Sequence, residues 1–214
     1  MQCIDLSHPI TTGMPVYPGD PQVAATTALN IDDDGASVAR LELGTHTGTH
    51  LDAPAHTVPG GRTVDQLDLT LLQGDTHILH VQTRQLESLQ ATQLGATNFG
   101  ELPEVLNSIV CVATGWDQYF LSALREHHPY LSLEFAEELW RRGARVLGVD
   151  TLSPDPTAEP SDFLIHDFWL GNDGIIVENL RGLTKLPDRV HTTILPLPLT
   201  GLDGSPVRAI ARHS

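Results

Sequence analysis

His46, His50, Asp52 and His56 fall within eleven consecutive residues of the run Gly44-Thr45-His46-Thr47-Gly48-Thr49-His50-Leu51-Asp52-Ala53-Pro54-Ala55-His56. Imidazole nitrogen and carboxylate oxygen are the ligand set of zinc, iron and manganese ions. Any one of these histidines alone reads as a surface or hydrogen-bonded core residue. Three of them, with an aspartate in phase and a glycine in the gap, point to a metal site.

The run is not expected to be a helix, because Gly44, Gly48, Pro54 and its threonines disfavour one. The preceding Val38-Ala39-Arg40-Leu41-Glu42-Leu43 alternates like a half-buried strand. The stretch therefore reads as a strand end running into a loop. Alternation would place His46, Gly48, His50 and Asp52 on one face. A straight strand would hold the His46 and His50 Cα atoms roughly 13 Å apart, four steps of about 3.3 Å. That is too long for two ligands bound at about 2.1 Å to one ion. A bend or bulge near Gly48 is expected, which glycine permits.

A second cluster surrounds His166. Ser161 can cap a helix over Asp162–Leu170, which Gly171 would end. Asn172-Asp173-Gly174 makes a turn, and Ile175-Ile176-Val177-Glu178 is an apolar strand finishing in a carboxylate. Such a charge is costly unless paired or metal-bound. Taken alone, His166 and Glu178 are ordinary residues.

Around these clusters the chain opens with a strand at Cys3–Leu6 and a Pro/Gly-rich loop that presents Tyr17 on a stiff segment. Val23–Leu29 and Ala36–Leu43 form a hairpin across the acidic turn Asp32-Asp33-Asp34-Gly35, whose spacing lacks the alternating ligands of a calcium loop. Strands at His77–Val81, Ser108–Ala113 and Val146–Asp150 then alternate with helices at Arg84–Leu94 and Leu133–Arg142, the latter with Ser132 as N-cap and Gly143 beyond its end. Thr193–Leu199 reads as an edge strand, and Gly204–Arg208 as a turn into a final strand.

With 214 residues the chain is expected to form one domain. A formal charge of −15 argues against a nucleic-acid partner. No apolar run reaches the length of a membrane span, and the N-terminus lacks the pattern of a signal peptide. Cys3 and Cys111 are too few for a disulfide framework, so a reducing, cytoplasmic location is expected.

The run from His46 to His56 resembles the signature of the metal-dependent hydrolases called the cyclase family, which includes bacterial kynurenine formamidases (arylformamidases) and isatin hydrolases. The resemblance extends over nearly the whole chain. Tyr17-Pro18-Gly19-Asp20, Gly148-Val149-Asp150 with Ser153-Pro154-Asp155, His166 to Glu178, and Gly204-Ser205-Pro206-Val207-Arg208 follow in the expected order. It implies an α/β (mixed α+β) swivelling β/β/α fold with a mixed sheet, one domain over residues 1–214, assembled as a homodimer or larger oligomer. By the same resemblance His46 and His50 would bind one zinc, Asp52 and Glu178 would bridge to a second, and His166 would bind that second ion. A single Mn²⁺ is the alternative to Zn²⁺. His56 would be the acid/base residue and Tyr17 would line the substrate pocket, where kynurenine formamidases typically carry tryptophan. The implied reaction is metal-dependent hydrolysis of a small-molecule aryl formamide, with N-formyl-L-kynurenine first among substrates. Ring-opening of a cyclic amide, a catalytically silent metal-binding module and a non-hydrolytic cyclase are the competing readings.

Overall fold

The computed structural model describes residues 2–82, 86–158 and 162–213. β1 (Gln2–Asp5) leads through a long loop to a hairpin of β2 (Ala24–Leu29) and β3 (Val38–Glu42), joined by the single helical turn α1 (Ile31–Asp34). β4 (His50–Asp52), β5 (Gln73–His80), β6 (Gln93–Leu94), β7 (Ile109–Ala113) and β8 (Tyr130–Leu131) precede α2 (Leu133–Arg141). Then come β9 (Val146–Val149), α3 (Leu164–Gly171), β10 (Ile175–Glu178), β11 (Arg189–Pro196) and β12 (Gly204–His213).

Eight strands form one mixed sheet in the order β1-β12-β11-β5-β7-β9-β10-β4. The start of β12 also pairs with β4, so the sheet closes on itself as a barrel. The strands β5, β7, β9 and β10 run parallel, and the remaining pairings of this sheet are antiparallel.

Alternation along the strands divides the core in two. Ile109, Cys111, Val146, Ile175 and Val177 join Leu51 and Ile78 in the barrel interior. Val110, Val112, Leu147 and Ile176 face outward onto Phe135 and Leu139 of α2 and Ile165 and Trp169 of α3. β4 has only three residues, yet its Leu51 is fully buried in the interior. Burying a leucine is worth about 1.5–3 kcal/mol, enough to pin so short a strand. The same alternation sends His50 and Asp52 to the opposite side, toward α3.

Several elements match their sequence signals. Ser132 Oγ accepts from Phe135 N at 3.2 Å and caps α2, and Gly143 takes a positive φ of 116° beyond its end. Cys111 is fully buried, as a small hydrophobe in β7.

Other elements differ. The expected helix at Arg84–Leu94 is not formed over its described part: Leu86–Leu89 is a 3₁₀ turn and Gln93–Leu94 is a strand paired with Tyr130–Leu131. The segment from Thr193 is not an edge, because β11 lies between β12 and β5. Gly204 already belongs to β12. β3 is exposed along both faces and is not half-buried. The acidic connection is a helical turn whose N-cap Asn30 accepts from Asp33 N at 3.0 Å. α3 begins at Leu164, two residues later than expected, and Ser161 lies outside the described residues.

Candidate metal centre and cavity

Strand register brings the late carboxylate to the early histidines. In the antiparallel pairing of β10 with β4, Glu178 lies opposite His50 and Ile176 opposite Asp52. Directly opposed residues project from the same face, so Glu178 and His50 meet. Glu178 Oε2 lies 3.3 Å from His50 Nε2, and Asp52 Oδ1 is also 3.3 Å from that nitrogen. α3 covers this face and lowers His166 onto the pair, with Nε2 3.3 Å from Glu178 Oε1 and 3.7 Å from Asp52 Oδ2.

The expected bend is at Gly48, which has φ +63°, a left-handed conformation that a side chain would strain. Its consequence is that His46 folds back, with Nδ1 2.7 Å from Asp52 Oδ1 and its ring centroid 5.1 Å from that of His50. Gly204 makes room for this approach. A Cβ there would stand 2.7 Å from His46 Cε1 and 3.0 Å from the Leu51 carbonyl oxygen.

Each of these three imidazoles has one nitrogen turned toward Asp52 or Glu178 and the other tied to an oxygen. His50 Nδ1 donates to the Gly48 carbonyl at 2.8 Å, and His166 Nδ1 to Asp155 Oδ2 at 2.7 Å. His46 Nε2 donates to Asp203 Oδ2 at 2.8 Å. Metal-bound histidines are held this way, the remote N–H fixing ring and tautomer. Two carboxylate oxygens in the middle, Asp52 Oδ2 and Glu178 Oε1, are buried and have no hydrogen-bond partner among the described residues. Leaving charged oxygens so is expensive unless a cation satisfies them. Ligand atoms of His50, Asp52 and Glu178 lie within 4.8 Å of one another, as do those of His46, Asp52 and His56. Asp52 belongs to both groups. The residues present fit one or two divalent ions.

Titration behaviour follows from the crowding. Burial would depress the His50 pKa, but the Asp52 and Glu178 carboxylates override it and raise it to about 10. His166 is likewise raised well above its ordinary value, burial being outweighed by the hydrogen bond to Asp155 and by the nearby carboxylates of Asp52 and Glu178. Burial works to raise Asp52, yet the charge on His50 and the hydrogen bonds from the surrounding histidines hold it well below the usual carboxylate range.

His56 ends the short 3₁₀ turn Pro54–His56 beside this cluster, its ring 4.0 Å from that of His46. Its Nδ1 lies 3.1 Å from Asp203 Oδ2. Burial raises Asp203, but the hydrogen bond and charge of His46 and the hydrogen bond to His56 bring its pKa down to about 2. All of this opens on a cavity of about 500 Å³. Its walls include Tyr17, Phe120, Leu152 and Phe163, and its charged lining includes His50, His166 and Glu178. Burial raises the Tyr17 phenol above its ordinary pKa against a hydrogen bond with Thr157.

A cavity with apolar walls and a polyvalent His/carboxylate floor is a small-molecule site with a metal-binding end. The Cyclase family model matches residues 4–156 of this chain. The chain belongs to the cyclase family. Among the relatives of this cyclase-family chain, the kynurenine formamidase of Geobacillus thermodenitrificans is 30% identical, over 98% of this chain and 96% of the relative. That of Bacillus cytotoxicus is 32% identical over the same shares of the two chains. Isatin hydrolase A from Labrenzia aggregata has the same fold, with a TM-score of 0.85 at 21% identity over 98% of this chain and 93% of the other. The predicted metal-dependent hydrolase from Bacillus stearothermophilus superposes with a TM-score of 0.78 at 26% identity, covering 98% and 97%.

Within this family fold, His46, His50, Asp52, His56, His166, Glu178 and Tyr17 all reach the one cavity or its floor. Two supporting carboxylates had no role assigned from the sequence, although Asp155 stands in the Ser153-Pro154-Asp155 motif. Asp155 lies eleven residues before His166, and its part in holding that ring depends on the loop between β9 and α3. Asp203 is 147 residues beyond His56, brought in by the pairing of β12 with β4.

Proposed function

We propose that this chain is a metal-dependent hydrolase of carbon–nitrogen bonds in aryl formamides, with N-formyl-L-kynurenine as its leading substrate. The observation that carries this reading is the buried His/Asp/Glu cluster with orphaned carboxylate oxygens at the end of an aromatic-walled cavity. Kynurenine formamidases of about 30% identity, matched along nearly the full length, support it.

His46, His50, Asp52, His166 and Glu178 would hold Zn²⁺, as one ion or two, or a single Mn²⁺. When bound, such an ion lowers the pKa of water toward neutrality and polarises an amide carbonyl. Tyr17, with Phe120 and Phe163, clamps the aryl ring so that the formyl group points at the cluster. His56 takes a proton from the attacking water as the oxygen–carbon bond forms. It returns that proton to the anilide nitrogen as the carbon–nitrogen bond breaks. The products are an arylamine and formic acid, which ionises to formate.

The assembly proposed is a homodimer or larger. Its support is the β2–β3 hairpin, which leaves Leu29, Ile31, Val38 and Leu41 exposed. Residues 1–214 act as one unit in this reading, in keeping with relatives that align over 98% of the chain. Two free cysteines support a reducing compartment such as the cytoplasm. No helix among the described residues is long and apolar enough to cross a membrane.

The test is direct. Protein stripped of metal and reloaded with Zn²⁺ or Mn²⁺ is assayed for arylamine and formate release from N-formyl-L-kynurenine, with isatin alongside. Turnover of the formamide in the loaded protein only is expected. A protein that opens isatin and leaves the formamide intact, or hydrolyses neither, defeats the proposal.

A further inference from the structure

His56 is the most exposed histidine of the cluster, with its side chain 31% exposed and its ring tilted against that of His46. The hydrogen-bond contact of its ring is between Nδ1 and Asp203 Oδ2 at 3.1 Å. Asp203 is itself anchored from two directions. Its Oδ2 also accepts from His46 Nε2 at 2.8 Å, and its carbonyl accepts from Ala53 N at 2.8 Å, next in sequence to Asp52. The following residue, Gly204, is already paired with Asp52 in the barrel. The carboxylate is thus built into the same strand junction that places the metal-binding residues.

We propose that Asp203 is the positioning residue for His56, holding the imidazole in the Nδ1–H tautomer with Nε2 left as its proton-accepting nitrogen. Which ring nitrogen carries the proton is set by the partner of the other, so the acceptor at Nδ1 decides what Nε2 can do. Because one oxygen serves both rings, Asp203 ties the orientation of His56 to that of His46. The role in turnover rests on the hydrolase reading above; the positioning rests on the hydrogen bonds alone.

The experiment compares metal-loaded wild type with Asp203→Ala, Asp203→Asn, His56→Ala and the double variant Asp203→Ala/His56→Ala. Metal per chain, kcat and KM for N-formyl-L-kynurenine, and the tautomer of His56 by nitrogen NMR are measured. Because Asp203→Ala also loses the hydrogen bond from His46, it is assayed at saturating metal, where it is expected to keep its KM while kcat falls about 100-fold, the scale of a lost acid/base group. The His56 signal should move from the Nδ1–H form to a mixture. Asp203→Asn, whose side-chain oxygen can still accept, should recover part of the loss. In the double variant, Asp203→Ala should add less than about twofold to the effect of His56→Ala, because the two act as a unit. Full additivity, or loss of metal with an unchanged tautomer, would show that Asp203 serves His46 instead and overturn the inference. If wild type hydrolyses no formamide, the hydrolase reading fails by itself. The tautomer comparison still decides the positioning, and an unmoved His56 signal in Asp203→Ala sinks it.

Discussion

Glu178 stands directly across the β10–β4 pair from His50, its Oε2 3.3 Å from the imidazole Nε2. One end of the pair comes from the histidine-rich run and the other from a strand more than a hundred residues later. Their meeting follows from register alone, and the other carboxylate oxygen of Glu178 is left buried and unpartnered among the described residues. Glu178→Gln keeps the shape and removes the charge. The expected outcome is loss of one metal equivalent per chain and a fall in activity of about 10²-fold, as for removal of a metal-site group. Elemental analysis of the purified variant checks it, and full metal content with full activity would refute the assignment.

Proton release should accompany metal binding. The His50 pKa is raised to about 10 against an ordinary 6.5, so its metal-facing nitrogen is protonated at pH 7 in the metal-free protein. His166 is raised as well. A ligand nitrogen must lose its proton first, so apparent affinity rises with pH across the neutral range. Calorimetry in two buffers of different ionisation enthalpy gives the number of protons released. A value of zero would contradict the cluster described above.

The stability of the metal-free protein has a matching window. A histidine whose folded pKa is raised stabilises fully below 6.5, and that contribution disappears as pH climbs toward about 10. Asp52, lowered well below its ordinary 3.8, stabilises above that pH and loses its contribution as pH falls through the folded value. Denaturant midpoints of the metal-free protein should therefore be highest between about 4 and 6.5 and decline on both sides. A flat profile from pH 4 to 10 would be inconsistent with these pairings.

Much of this centre was legible from residue types. Gly48 between two histidines announced a bend, and the φ of +63° there is what lets His46 turn back onto Asp52. Ser132 announced the start of α2, because its capping partner is three residues away. The signals that failed were those decided by distant chain. Arg84–Leu94 carries helical spacing, but Gln93–Leu94 pairs with Tyr130–Leu131, and tertiary pairing overrides propensity. α3 is started by Asp155 and not by a local cap: Ile165 N and His166 N donate to its carboxylate at 2.9 and 3.1 Å. Whether a strand is an edge also depends on its neighbours, and nothing in Thr193–Leu199 reveals that β5 and β12 flank it.

Asp155 therefore has two tasks, and one substitution separates them. Asp155→Ala removes the acceptor for both backbone donors of α3 and for His166 Nδ1. Losing the cap should cost about 1–2 kcal/mol of stability, and losing the hydrogen bond that orients a ligand histidine should weaken metal binding by about 10–100-fold. Asp155→Asn, which still accepts at one oxygen, is expected to retain more of the stability than of the affinity. Thermal unfolding and metal titration of the two variants read the effects apart. Equal losses in both quantities for Asn and Ala would argue against the double role.

Gly204→Ala tests the close approach of β12 to the early histidines. The added methyl would overlap His46 Cε1 at 2.7 Å and crowd the Leu51 carbonyl at 3.0 Å, and the backbone on that side is fixed by barrel pairing. His46 must give way, because a side chain moves more cheaply than a paired strand. Overpacking of this kind costs about 1–3 kcal/mol, so the melting temperature should drop by several degrees. The more specific expectation is weaker metal binding on the His46 side of the cluster, since the nearest atoms to the new methyl are His46 Cε1 and Nδ1 and the Leu51 carbonyl oxygen. Metal titration of the variant should show one weakened site, and wild-type affinity at every site would mean that His46 is not a ligand.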